Sequence, residues 1–129
     1  MAKPPCRIVV GHQQGLVRAL LRNIVSDAVN AEVMNAEIVR EACSAIELLE
    51  SLINSGADLV LIDISLLAMR GRTTITQIRD LLPNVKILVI SKSKPLVSRA
   101  VSGLVDGCFS IEHTAEELRA AIKGLRQES

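Results

Sequence analysis

Asp63 lies in the strongest strand-like run of the chain, Asp58 to Ile64, and a carboxylate at the mouth of an apolar strand is costly unless it is paired or solvated. It is therefore either a reactive group or a solvated strand-end or capping residue. Arg70 and Arg72 flank Gly71 a few residues further on, where guanidinium groups can pair with the carboxylate, receive an anion or stand in solvent. Ser91 puts a hydroxyl at the end of a second apolar run, Val85 to Ile90. His12 and His113 are the two histidines, and a neutral surface role is expected for His12. Cys6, Cys43 and Cys108 are odd in number, widely spaced and set among apolar residues, so reduced, buried thiols packing as small hydrophobes are expected rather than disulfides or a zinc site. No nucleophile elbow, P-loop or cysteine paired with histidine is present in a known motif. The chain is accordingly not expected to be an enzyme, and no catalytic or metal-ligating residue is assigned.

The composition narrows the partner classes. With 49% hydrophobic residues, 22% charged residues and a formal net charge of +1, the sequence reads as globular and gives no electrostatic reason to coat nucleic acid. Phe109 is the only aromatic residue, which excludes a base-stacking surface or an aromatic-lined cofactor slot on composition. The N-terminal MAKPPC has no apolar signal-like run, and no stretch approaches the roughly 18 apolar residues of a membrane span. A cytoplasmic location is expected. No interior Gly/Ser/Pro-rich tract offers a boundary, so residues 1–129 read as a single domain.

The elements that must position these side chains follow from periodicity. Arg7 to Val10, bounded by Pro5 and Gly11, suits a strand buried on both faces, and from Leu16 to Ala28 apolar residues recur at helical spacing. A second strand is expected near residues 36–41. Ala45 to Ile53 is a second amphipathic helix, with Ser44 as N-cap and Gly56 just past its end. After the Asp63 strand, Thr73 to Leu82 makes a third helix that stops before Pro83. Val85 to Ile90 is the fourth strand, Pro95 opens a fourth helix running to Leu104, and Gly107 to Ile111 is the fifth strand. Thr114 and Glu117 form a T-x-x-E capping box opening the last helix.

Five apolar strands alternating with five helices imply an α/β doubly wound, five-stranded parallel sheet with helices on both faces. In such sheets, functional residues gather at the carboxyl ends of the strands. The candidates above, with His12 and Gln13 after the first strand and Ile111 to His113 after the fifth, fall on that edge.

With those loops placed, RIVVGHQQGLVRALL, IVREACSAIELLESLINSGADLVLIDISL, AMRG, VKILVISKS and VDGCFSIEHTAEELRAAI together resemble the receiver domain of two-component response regulators, particularly of LuxR-type transcription factors, over nearly the whole chain. The resemblance implies a flavodoxin-like fold of strand order 2-1-3-4-5. In that family an aspartate takes a phosphoryl group beside a divalent cation held by acidic neighbours, a lysine pairs with the product, and a hydroxyl follows it. The acceptor position falls on Asp63 and the switch hydroxyl on Ser91. The acidic pair falls on His12 and Gln13, the lysine on Ile111 and the aromatic switch position on Cys108. Magnesium binding is therefore expected to be weak or absent, and no cofactor is expected.

The resemblance then implies a pseudo-receiver acting by protein-protein interaction. Its partner would be a sensor kinase, an output domain or a second copy, through a face of the fourth and fifth helices or of the first, with no direct contact to nucleic acid or membrane. One alternative is an atypical receiver still phosphorylated at Asp63, with Arg70 or His12 supplying charge. Another is a ligand-binding domain similar to cobalamin-binding domains, whose H-x-x-G and S-x-L signatures are matched by His12 to Gly15 and Ser65 to Leu67. The Asp of that longer motif falls on Val10, and its Gly-Gly falls near Ser91 and Lys92.

Overall fold

A computed structural model describes residues 4–67, 71–91 and 103–127. Five strands, β1 (Cys6–Gly11), β2 (Ala36–Ala42), β3 (Leu59–Asp63), β4 (Lys86–Ser91) and β5 (Gly107–Ser110), form one sheet in the order β2-β1-β3-β4-β5. Every neighbouring pair is parallel. The helices are α1 (Gly15–Asn30), α2 (Ala45–Leu52), α3 (Gly71–Leu81) and the C-terminal α4 (Thr114–Gln127). The helix expected from Pro95 lies largely outside the described residues.

Apolar residues dictate where each helix goes. Leu48 and Leu52 of α2 and Ile75 and Ile78 of α3 pack on Val9, Val60, Ile62, Ile87 and Val89. On the opposite face, Leu21 and Val25 of α1 and Leu118 and Ile122 of α4 pack on Ile8, Val10, Leu59, Leu61, Leu88 and Ile90. Alternate residues of β1, β3 and β4 thus serve two cores, as a sheet covered on both sides requires. All five residues of β3 are buried, whereas β2, at the sheet edge, carries Glu37, Arg40 and Glu41. Charges on an edge strand discourage pairing with a further chain.

Local chemistry fixes the element ends. Ser44 caps α2 by accepting the Glu47 N–H at 3.1 Å, and Gly56 takes a left-handed φ of +65° in the turn towards β3. Thr114 departs from its expected role. A short 3-10 turn, Ile111–His113, precedes α4, so Thr114 is already helical, and its hydroxyl donates back to the Ile111 carbonyl at 2.8 Å. It does not cap Glu117. The cysteines also divide: Cys6 is buried and Cys108 half-buried, but Cys43 is exposed, because β2 ends one residue before it. The Cys43 thiol donates to the Glu47 carboxylate at 3.0 Å, and that bond holds its pKa above the ordinary thiol value. Burial raises that of Cys108.

Candidate functional site

The carboxyl edge of the sheet brings β1 and β3 side by side, with Gly11 opposite Ile62. A Cβ on Gly11 would meet side-chain carbons of Leu48 and Leu66 at 3.1 Å. Glycine thus lets those leucines close over the end of β1. The next residue, His12, is carried directly beside the end of β3, where Asp63 stands.

His12 Nε2 lies 3.2 Å from Asp63 Oδ1, and the two residues are only 5% and 8% exposed. The Gln14 backbone N–H donates to His12 Nδ1 at 3.0 Å. That bond needs a lone pair on Nδ1, so the hydrogen-bond pattern assigns the ring proton to Nε2, which donates to the carboxylate. The Ser65 N–H donates to Asp63 Oδ2 at 2.9 Å, and the Ser65 hydroxyl donates to the same oxygen. Each carboxylate oxygen therefore has a donor. Arg18 secures the loop from outside, donating to the His12 carbonyl at 2.6 Å while its Nε sits 3.4 Å from Glu41. Among the described residues, no buried side-chain nitrogen or oxygen lacks a partner.

The expected site residues are thus only partly gathered. Asp63 and His12 meet. His12 is not the surface histidine expected, because the approach of β1 to β3 encloses it, and Asp63 is buried rather than solvated, its carboxylate capping the 3-10 turn Ile64–Leu67 through the Ser65 N–H. Gln13 is exposed and has no bond to the carboxylate. Ser91 is buried at the end of β4, one residue beyond the Ile90 that pairs with Asp63. Ile111 begins the 3-10 turn and packs on the α1/α4 core, so its side chain serves packing where the family has its lysine. Arg70 lies outside the described residues, as does the Arg72 side chain. Arg18 has no role in the sequence reading, and Ser65 enters it only through the S-x-L signature, not as a partner of Asp63. The signal for Ser65 was the D-x-S spacing, since an aspartate side chain readily accepts the backbone N–H two residues on.

The magnesium ion that this architecture implies does not fit these residues. It would want several oxygen ligands in near-octahedral geometry. Here one carboxylate is already bonded by a serine and an imidazole N–H, and the position beside it holds an amide turned to solvent. Cobalt ligation by His12 fits no better, because its Nδ1 accepts from Gln14 and its Nε2 proton faces Asp63 in a buried setting.

A doubly wound parallel sheet of this order, with an aspartate at the carboxyl end of its central strand, defines the flavodoxin-like class. Within it, the chain belongs to the response regulator receiver domain family, whose model matches residues 13–123. It is thereby a receiver domain of the two-component type.

Solved structures agree. The REC domain of AraT, a response regulator from Geobacillus stearothermophilus, is 24% identical with a TM-score of 0.77, over 95% of this chain and 96% of that one. A LuxR-family DNA-binding response regulator from Staphylococcus aureus is 19% identical with a TM-score of 0.72, over 93% and 98%. The isolated REC domain of RcsB from Salmonella enterica serovar Typhimurium, solved in the presence of phosphomimetic BeF3-, is 19% identical with a TM-score of 0.75, over 95% and 89%. At these identities the likeness is one of fold. Comparison with curated protein sequences finds no match. No helix among the described residues is long and apolar enough to cross a membrane.

Proposed function

We propose that this receiver domain is a pseudo-receiver, a non-enzymatic cytoplasmic module that regulates transcription or a related output by binding a protein partner without being phosphorylated. The observation that carries this reading is the closed network His12–Asp63–Ser65. Phosphoryl transfer to an aspartate needs a free carboxylate oxygen in line with the phosphorus, a cation to neutralise the transferred oxygens and a positive group to hold the product. In this chain the oxygens are bonded, a neutral imidazole stands in the cation's place and Ile111 stands at the lysine position. The partner is a sensor kinase, an output domain or a second copy. Helix α1, which leaves Leu16 and Leu20 exposed just beyond the site, is a face through which the domain can reach it.

Beryllofluoride or acetyl phosphate, added with magnesium, is expected to leave the amide NMR spectrum unchanged. Saturable shifts centred on Asp63 and abolished by Asp63→Asn would instead establish an atypical phosphoreceiver. Intact-mass measurement of wild type and Asp63→Asn, with and without magnesium, reads the same distinction as a phosphate adduct.

A further inference from the structure

Helix α2 has a second apolar stripe that the fold covers only in part, at the half-buried Leu49. Leu48 and Leu52 face the sheet, yet Ile46 and Leu49, at i and i+3, lie on another side, and the extended C-cap residue Ile53 follows the helix, with Ile46 74% and Ile53 54% exposed. Across from them, α3 presents Gln77, Asp80 and Leu81, the last 43% exposed. Leu49, Glu50, Ile53, Gln77, Asp80 and Leu81 line an open groove of about 320 Å³ between the two helices. Its two carboxylates, Glu50 and Asp80, have no cation within ion-pair distance among the described residues. The nearby Arg40 is spent on the Ser51 and Ile53 carbonyls at the end of α2.

We infer that this groove docks an amphipathic helix of a partner protein, with apolar residues at i, i+3/i+4 and i+7 flanked by lysine or arginine. The inference goes beyond the reading of Asp63 and does not depend on it. The walls are helices whose backbone bonds are internal, so an extended peptide finds no sheet edge to join there, whereas a helix brings its own backbone satisfied and lays one face in the groove. The apolar floor selects that face. The two carboxylates, unpaired among the described residues, select cations beside it and disfavour an anionic membrane surface. A second copy of this chain is a poor match. Among the described helices, α1 exposes Leu16 and Leu20 in line with Asn23 and Asp27, with its Arg18 and Arg22 held by Glu41, and α2 exposes Ile46 next to Glu47.

The test is an amide NMR titration of the full chain with a synthetic helix-stabilised peptide bearing leucines at i, i+3, i+4 and i+7 flanked by lysines. A matched peptide with glutamates in place of the lysines is run beside it. The lysine peptide is expected to give saturable shifts confined to Leu49–Ile53 and Gln77–Leu81, weakened by salt. The exposed double variant Glu50→Lys/Asp80→Lys, its fold checked by its own spectrum, is expected to bind the lysine peptide about tenfold more weakly and to gain the glutamate peptide. The inference is overturned by no saturable shifts, by shifts on α1 or α4 instead, or by equal binding of both peptides. It is overturned equally by concentration-dependent groove shifts without peptide, which mean self-association, or by the same shifts with phosphatidylserine vesicles.

Discussion

Asp63 and His12 answer each other's needs. A buried carboxylate requires donors, and a buried imidazole requires one donor and one acceptor. Ser65, His12 and the Gln14 N–H complete both without a cation. It follows that restoring acids here is costly before it is useful. His12→Asp/Gln13→Asp removes a donor from Asp63 and sets a like charge beside it, and about 1–3 kcal/mol of stability is expected to be lost in chelator. Magnesium should recover much of that loss in the variant and none in wild type, since only the variant gathers carboxylates enough to hold it. Urea unfolding of both proteins with and without magnesium reads the difference. A variant as stable as wild type in chelator would contradict the account of the pair.

The elements were largely legible because each announces itself locally. Short apolar runs mark all five strands to within a residue or two, and 3.6-residue spacing marks α1, α2 and α3. The Ser44 cap was equally plain, since it depends on residues three apart. Helix α2 has only eight residues, so losing that cap matters: Ser44→Ala is expected to cost about 1 kcal/mol in denaturant unfolding. What the sequence hid was whatever depends on distant residues meeting. The burial of His12 needs Asp63, 51 positions away, and the exposure of Ile53 needs α3 to leave a gap rather than fill it. Thr114 failed for a subtler reason, as the 3-10 turn before it shifts the helix start beyond what a four-residue motif can see.

For the molecule as a whole, β3 is the common wall of two cores. Its residues alternate between the α2/α3 side and the α1/α4 side, and it is flanked by β1 and β4. Opening either layer exposes it, so the two cores are expected to unfold together. Native-state hydrogen exchange should therefore find the slowest amides in β3 and its neighbours and faster ones in edge strand β2. Protection of β2 equal to that of β3 would argue against this hierarchy.

The Gly11 close approach and the His12–Asp63 bond also bear on how such a chain can change over time. Once the imidazole holds the carboxylate, each residue makes the other expensive to replace singly: losing Asp63 strands a buried imidazole N–H, and an acid in place of His12 meets a charge already there. The aspartate thus contributes to stability independently of any chemistry at its oxygens. Substitutions at the two positions are therefore expected to be tolerated together more readily than singly, so the bond acts as a catch between them.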